Sequence, residues 1–150
     1  MIRKYLTKDK PRLIELLRQN TPEYFDVSEE GDYINYLDNK IEDYYVYEEN
    51  SIILGAGGIN YFHKEKIARI SWDLVASDSH GKGIGKKLTQ FRIDHINKNR
   101  KIEVIVVRTT QLAYKFYEKM GFELEFVEPD FWAKHFDLYQ MKLKTKQIGY

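Results

Sequence analysis

The sequence lacks cysteine and is poor in proline and in long apolar runs. With no Cys among 150 residues, the chain can form no disulfide framework, no cysteine-based zinc site and no thiol nucleophile. No window approaches the roughly 18 apolar residues of a membrane-spanning helix, and the N-terminus, Met1 to Tyr5, carries charges where a signal peptide would be apolar. We therefore expect an unexported protein, cytoplasmic by default, with no bound metal and no membrane partner.

The apolar content is that of an ordinary globular chain. Apolar residues make up 43% of the sequence and aromatic residues 15%, including twelve Tyr and eight Phe. This is enough apolar mass to bury one sizeable core, and it argues against a disordered chain. No repeat and no Gly/Ser/Pro-rich linker divides the sequence, so we predict a single domain over residues 1–150.

The charges are balanced in number but unevenly distributed. The formal net charge is only +1, which gives no global reason to expect a nucleic-acid partner. Residues 23–50, however, carry ten acidic side chains and one basic one, Lys40. One interpretation is a bipartite site that holds an anionic cofactor at one end and meets a cationic partner at the other. The alternative, that solvated faces simply differ in sign, remains open.

Apolar periodicity predicts four helices. The first follows Pro11 and the second lies within residues 23–42, because apolar residues recur there at helical spacing. The third begins at Ile84, and the fourth runs from Thr110 to Met120, ending before Gly121, which suits a C-terminal cap. We expect the buried stripe of the third helix to consist of Ile84, Leu88, Phe91 and His95.

Six runs rich in β-branched and aromatic residues predict strands, with a turn at Glu48-Glu49-Asn50 between the first two. They are Tyr44–Tyr47, Ser51–Phe62, Ile67–Ala76, Ile102–Val107, Phe122–Val127 and Phe136–Leu143. Strands come first in succession and then alternate with helices. This order predicts an α/β (α+β) protein with a single mixed, mostly antiparallel sheet flanked by helices.

A glycine-rich turn between a strand and a helix is the sharpest chemical signal. Gly81, Gly83 and Gly85 allow close backbone approach to a ligand, and the N–H groups at a helix N-terminus attract anions. Three neighbouring lysines strengthen that attraction. Together these features predict a phosphate-binding turn. A Walker P-loop is excluded because His80 stands where its first Gly is required. A dinucleotide-binding turn is only weakly supported, because Lys86 occupies the place of its third Gly.

The run His80-Gly81-Lys82-Gly83-Ile84-Gly85 resembles motif A of the GCN5-related N-acetyltransferases (GNAT), whose pattern is Gln/Arg-x-x-Gly-x-Gly/Ala. His80 stands where that family usually has Arg or Gln. The run from Ala113 to Phe122 resembles the family's motif B, with Thr110 where Asn is common. Because the two motifs occur in the right order and at about the right separation, the resemblance is specific.

The resemblance implies the GNAT fold, in which the fourth and fifth strands splay apart and admit the pantetheine arm of acetyl-CoA. The cofactor would then contact backbone at the end of the strand, the glycine turn and motif B. The residues implied are Leu74, Val75, Ala76, His80, Gly81, Lys82, Gly83, Ile84, Gly85, Lys86, Thr110, Ala113, Tyr114, Phe116 and Tyr117.

The chemistry implied is direct acetyl transfer to a primary amine in a ternary complex, which needs no enzyme nucleophile. The family geometry assigns an oxyanion-stabilising N–H near Val75 and a general acid to Tyr117. For the base that deprotonates the amine, Asp73 is our choice, because it lies two residues before Val75 and points to the same face. An Asp73 carboxylate merely paired with an arginine is the alternative.

The sequence leaves the acceptor and two rival functions open. The acidic segment 23–50 favours a cationic amine, either a small molecule or a peptide amine, over nucleic acid. The rivals are a non-catalytic acyl-CoA-binding module and, less strongly, a dinucleotide-dependent oxidoreductase. The aromatic stretch Phe131-Trp132 on an open sheet would suit pairing with a second copy.

Overall fold

The computed structural model describes residues 1–146. In this part of the chain, four α-helices are formed: α1 Lys10–Gln19, α2 Glu29–Asn39, α3 Ile84–Asn97 and α4 Tyr114–Lys119. The seven strands are β1 Ile2–Lys4, β2 Asp43–Glu49, β3 Ile52–Phe62, β4 Ile67–Val75, β5 Val104–Thr109, β6 Glu123–Ala133 and β7 Phe136–Lys144.

The strands form one mixed sheet in the order β1-β2-β3-β4-β5-β7-β6. Strands β1 and β2 pair antiparallel, as do β5 with β7 and β6 with β7, whereas β4 and β5 run parallel. The predicted fold class, a mixed sheet flanked by helices, is therefore confirmed. Among the residues described, no helix is both long enough and apolar enough to cross a bilayer.

The chain divides into two compact units. The first comprises Met1–Gly58 and Trp72–Thr89, and the second comprises Ile59–Ser71 and the chain from Gln90 onward. The core of the first unit joins the apolar stripe of α1 to the aromatic face of α2 and to β2, β3 and the end of β4. Its buried members include Leu13, Leu16, Tyr33, Leu37, Tyr44, Val46, Ala56 and Leu74.

In the second unit, β5 supplies three consecutive buried residues, Ile105 to Val107, and β7 supplies Leu138 and Met141. Phe122, directly before β6, is buried as well, whereas β6 itself is exposed along most of its length. Among these three strands, burial is therefore concentrated on β5 and β7 rather than on β6.

The predicted buried stripe of α3 is only half right. Ile84 and Leu88 are buried as expected, but Phe91 is 39% exposed and His95 is exposed too. The buried positions continue instead at Arg92 and in the row of Ile93 and Ile96. At 3.6 residues per turn, the buried face is centred near Arg92 and Ile96, about 80–120° around the helix from Ile84, so Phe91 and His95, within about 20° of the Ile84 direction, lie at its exposed edge.

Several predicted boundaries shift. Strand β1 was not expected, since its three residues carry too little apolar signal, and its pairing with β2 stabilises it. The turn after β2 consists of Asn50 and Ser51, whose φ angles of 52° and 63° match a two-residue hairpin turn. The second helix lies within residues 23–42 as predicted, whereas the fourth, predicted from Thr110, begins only at Tyr114.

The N-terminal strand is held by a buried ion pair. Arg3 donates to both carboxylate oxygens of Asp9, at 2.8 and 3.0 Å, and to Glu48 at 3.1 Å. The Asp9 carboxylate also accepts a hydrogen bond from the Leu6 N–H at 2.8 Å. The hydrogen bond from Arg3 is the main reason why the pKa of Asp9 lies below its ordinary value. The ionised form of Asp9 is thus favoured by folding.

We expect Asp9→Asn to lower the free energy of unfolding by about 2 kcal/mol at pH 7, because a charged hydrogen-bond acceptor is lost. The Asp9 contribution is present above the ordinary carboxyl pKa and is lost as the pH falls through the lowered value. The difference between the variant and wild type should therefore shrink towards pH 3. Urea denaturation at both pH values measures it, and the exposed Asp32→Asn is the control. A constant difference across this range would contradict the assignment.

Candidate functional site

Strand β4 is kinked at Trp72, near its C-terminal end. Its φ angle of 50° places a large non-glycine residue in the left-handed region. The Tyr44 hydroxyl donates to the Trp72 carbonyl oxygen at 2.7 Å, and the hydroxyls of Tyr33 and Tyr44 are 2.8 Å apart. The Trp72 ring packs 4.9 Å from that of Tyr33. Two buried tyrosines therefore hold the kink that sets the direction of the last three residues of the strand.

The phenols of this pair stay protonated. Burial raises the pKa of Tyr33 and of Tyr44 well above the ordinary phenol value. The negative charge of half-buried Asp73 adds to the rise at Tyr44. Tyr44 therefore stays protonated at physiological pH and can donate its hydrogen bond to the Trp72 carbonyl oxygen.

The end of β4 is fixed from two sides. The side-chain amide of Asn20 donates to the Val75 carbonyl at 2.9 Å and to the Leu16 carbonyl of α1 at 2.8 Å. Asn20 is only 4% exposed. On the other side, the Ala76 N–H donates to the Leu54 carbonyl of β3 at 2.8 Å. The strand end is thus locked to both α1 and β3.

His80 turns towards this strand end. Its Nε2 atom lies 3.1 Å from the Val75 carbonyl oxygen, and its ring packs edge-on against Tyr24 at 5.4 Å. The His80 side chain, expected from its motif position to contact the cofactor, is engaged with the strand backbone. Contact of His80 with a ligand stays a prediction.

The glycine turn has the geometry that its sequence predicts. Gly81 and Gly83 have φ angles of 80° and 82°, a region that side chains rarely adopt. A Cβ atom built on either glycine would meet nothing within 4 Å. The space in front of both residues is therefore open, and their backbone can be approached closely from outside.

The helix that follows the turn packs closely on β3. A Cβ atom at Gly55 would lie 2.8 Å from the Ile84 side chain and 3.1 Å from that of Leu88. Only glycine therefore allows the first turn of α3 to sit at its observed distance from β3. The Lys87 N–H donates to the Gly83 carbonyl at 3.0 Å, so helical bonding starts within the turn itself.

Exposed lysines surround the turn. Lys82, Lys86 and Lys87 are exposed, and the Lys87 ammonium lies 5.7 Å from the centre of the Tyr47 ring. A cavity of about 330 Å³ opens beside the turn and includes Tyr47, Leu54, Lys82 and Lys87 in its lining. The helix N-terminus, the open glycines and the lysines together form a surface whose charges and N–H groups favour an anion.

The remaining predicted site residues belong to the second unit. Tyr117 on α4 is 5% exposed and packs edge-on against Phe116 and Phe122 at 5.0 and 5.9 Å. Tyr114 packs 4.6 Å from Tyr139. The Thr110 carbonyl accepts bonds from the N–H groups of Ala113 and Tyr114 and so starts the helix. The roles expected for these residues stay predictions.

Sequence reasoning missed the residues that hold the strand end, namely Asn20, Tyr44 and Trp72. Their contacts bridge 11 to 55 positions along the chain. A lone Asn after a helix is typical of an ordinary C-cap, and Tyr44 is one of twelve tyrosines, so neither carried a local signal.

A comparison with protein families decides the classification. The model of the acetyltransferase (GNAT) domain matches residues 17–145. The chain belongs to the GNAT acetyltransferase family. The family consists of acyltransferases, so the expected enzyme class is confirmed and the dinucleotide interpretation of the glycine turn is set aside.

Among curated proteins, this GNAT chain is 34% identical over 77 residues to the UPF0157 protein YqkA of Bacillus subtilis (strain 168). The match covers 51% of the chain and 22% of YqkA, so the matched segment makes up about a fifth of that protein.

Solved structures match over nearly the full length of the GNAT chain. An N-acetyltransferase from Staphylococcus aureus Mu50 has a TM-score of 0.77 at 18% identity, covering 97% of this chain and 98% of that one. The protein yncA from Salmonella typhimurium, solved with its cofactor acetyl-CoA, has a TM-score of 0.73 at 18% identity, covering 100% and 96%. At such identities the likeness establishes the fold.

We expect Asn20→Ala to loosen the strand end of the GNAT chain. The carbonyl groups of Leu16 and Val75 would lose the hydrogen bonds from the Asn20 side chain, which costs about 1–3 kcal/mol of folding free energy. The Ala76 amide should then exchange with solvent faster than in wild type, which hydrogen exchange followed by NMR measures. Asn39→Ala, an exposed amide on α2, is the control. Unchanged exchange at Ala76 would show that Asn20 does not hold the strand.

Proposed function

We propose that the protein transfers an acetyl group from acetyl-CoA to a primary amine in a ternary complex. The observation that carries the proposal is the turn before α3, in which two left-handed glycines leave open space beside a lysine-rich helix N-terminus. Membership of the GNAT family supports it, as does the likeness to yncA, which was solved with acetyl-CoA.

In this proposal, the turn binds the diphosphate of the donor. The N–H groups of Gly81 to Gly85 and the dipole of α3 favour the negative charges, and Lys82 and Lys86 add further attraction. The backbone of Leu74, Val75 and Ala76 binds the amides of the pantetheine arm in the manner of an added strand. Motif B contributes further contacts to the arm, through Thr110, Ala113, Tyr114, Phe116 and Tyr117.

The registered pairing of β4 with β5 ends before β4 does. It runs from Ile67 opposite Val104 to Ile70 opposite Val107. Strand β4 continues to Val75, five residues beyond the last registered pair. Because the Ala76 N–H points to β3, strand alternation directs the Val75 N–H away from β3. We assign this N–H to the thioester oxygen, whose charge it stabilises during attack.

The proton transfers fall to two side chains. Asp73 accepts a proton from the acceptor ammonium, and the neutral amine then forms a bond to the thioester carbon. As the carbon–sulfur bond breaks, the Tyr117 hydroxyl donates its proton to the leaving thiolate, and the newly bonded nitrogen loses its extra proton to water. The products are an amide and free coenzyme A, and both residues regain their starting states by exchange with water.

The acidic segment 23–50 supports a cationic acceptor, but several of its carboxylates are already engaged in ion pairs. Glu30 is bonded to Arg18, Asp38 to Lys10 and Glu48 to Arg3. Burial raises the pKa of Glu29 above its ordinary value, and its carboxylate accepts a hydrogen bond from the Asp26 N–H. The attraction for an ammonium group therefore depends on the remaining acids, with Glu23 and Asp32 among the exposed ones.

We expect Gly83→Asp to weaken acetyl-CoA binding by at least about tenfold, because the new carboxylate meets the diphosphate and the left-handed backbone becomes strained. Calorimetry with coenzyme A measures the dissociation constant. Gly31→Asp is the matched control, since it adds the same charge on α2 where a Cβ also meets nothing within 4 Å. Normal affinity in a folded Gly83→Asp variant would place the donor site elsewhere.

We expect Tyr117→Phe to lower kcat by about 10²–10⁴-fold with little change in the apparent KM for acetyl-CoA, because only leaving-group protonation is lost. Release of coenzyme A thiol during acetylation of a screened amine measures the rate. Tyr139→Phe, a tyrosine of the same unit, should keep its kcat. An unchanged kcat in Tyr117→Phe would exclude Tyr117 as the acid.

A further inference from the structure

An arginine at the end of β5 has no hydrogen-bonding or ion-pair partner among residues 1–146. Arg108 precedes the last residue of the strand and lies opposite Gln140 of β7. Within residues 1–146 its guanidinium makes neither a hydrogen bond nor an ion pair, and its Nε atom is buried without a partner. The residue as a whole is half-buried, and its terminal nitrogens are not enclosed.

Such an arrangement is costly for a protein without a ligand. A guanidinium has five N–H donors and keeps its charge at every accessible pH. Partial burial removes some of its water, and an unpaired buried donor destabilises the fold. Arginines that only stabilise a fold are usually paired, which Arg108 is not. An anion that reaches its terminal nitrogens would therefore be bound with little additional desolvation.

Two aromatic rings hold the guanidinium in place. Its carbon lies 4.9 Å from the ring centre of Phe131 and 5.6 Å from that of Trp132. The two rings stand at 90° to each other, 5.0 Å apart. Contacts with ring faces neutralise no charge and use no N–H donor, so the terminal donors remain available for a planar, bidentate acceptor.

The aromatic pair is itself positioned by backbone hydrogen bonds. The Trp132 indole N–H donates to the Thr109 carbonyl at 3.1 Å. Gln111 bridges to the β6–β7 turn, donating to the His135 carbonyl at 2.6 Å and accepting from the Asp137 N–H at 2.9 Å. The cation is thus preorganised, which lowers the entropy cost of binding an anion.

The position of Arg108 agrees with a ligand-binding role. The parallel ladder of β4 and β5 ends at Val107, one residue before Arg108. In open sheets, ligands bind beyond the carboxyl ends of parallel strands. Phe131 is 41% exposed, so an apolar surface lies next to the cation for the remainder of a ligand.

We propose that Arg108 binds a carboxylate group of the acceptor, so that the acceptor is an amino acid or a peptide with a free carboxylate besides its reactive amine. The inference rests on the proposed acetyl transfer and narrows its substrate class. A single guanidinium with two accessible terminal nitrogens matches one carboxylate.

The test compares L-amino acids and dipeptides with their C-terminal amides as acceptors. Wild type should prefer the free acid over the amide by about tenfold to a hundredfold in kcat/KM, the range expected for a charged hydrogen-bonded pair. Arg108→Gln should abolish this preference by raising KM for the acid, with kcat and the kinetics of the amide little changed. Arg108→Lys, which keeps the charge without the planar fork, should be intermediate.

Arg69→Gln is the matched control, because Arg69 also lies over a ring, that of Phe62 at 4.8 Å, in the same unit. The Arg69→Gln variant should prefer the free acid over the amide as strongly as wild type does. Calorimetric titration of the acid and the amide into the coenzyme A complex gives a readout independent of turnover. Equal affinity for acid and amide, or a preference that survives in Arg108→Gln, would overturn the proposal. Failure to bind coenzyme A would instead overturn the proposed function.

Discussion

The fixed end of β4 is the constraint on which the rest of the site depends. The Val75 carbonyl is bound by Asn20 from the end of α1, and the Ala76 N–H is bound by Leu54 of β3. Just before them, Tyr44 holds the kink at Trp72. The glycine turn and α3 follow directly in the chain. The same few hydrogen bonds therefore also fix the position of the turn and the start of the helix. A backbone that offers N–H groups to a ligand works best when it does not have to be ordered on binding.

Glycines in this region have two different structural roles. At Gly55 the absence of a Cβ lets α3 lie against β3, whereas at Gly81 and Gly83 the open space faces outward. The first is a packing requirement, and the second leaves backbone available to a phosphate group. We propose that this turn binds the donor and that side chains such as Arg108 select the acceptor.

Local patterns were sufficient for most of the fold. The glycine turn, the strand before it and the helix after it lie where the sequence places them, because backbone conformation at Gly81 and Gly83 is a short-range property. The pattern failed at β1, whose three residues depend on pairing with β2, and on α3, where Phe91 and His95 are exposed. Both errors concern which neighbouring element a strand or helix packs against. The periodicity of apolar residues along the sequence does not contain that information.

The sequence by itself determined the fold class, the family resemblance and the anion-binding turn, since each depends on residue types within a few positions of one another. Only the tertiary structure decided that Asn20 and Tyr44 hold β4, because their partners lie 55 and 28 residues away along the chain. The same holds for Arg108, whose lack of a partner and whose two aromatic neighbours follow from the pairing of β5, β6 and β7. Hydrogen bonds and ring contacts between distant segments form only when the sheet brings those segments together.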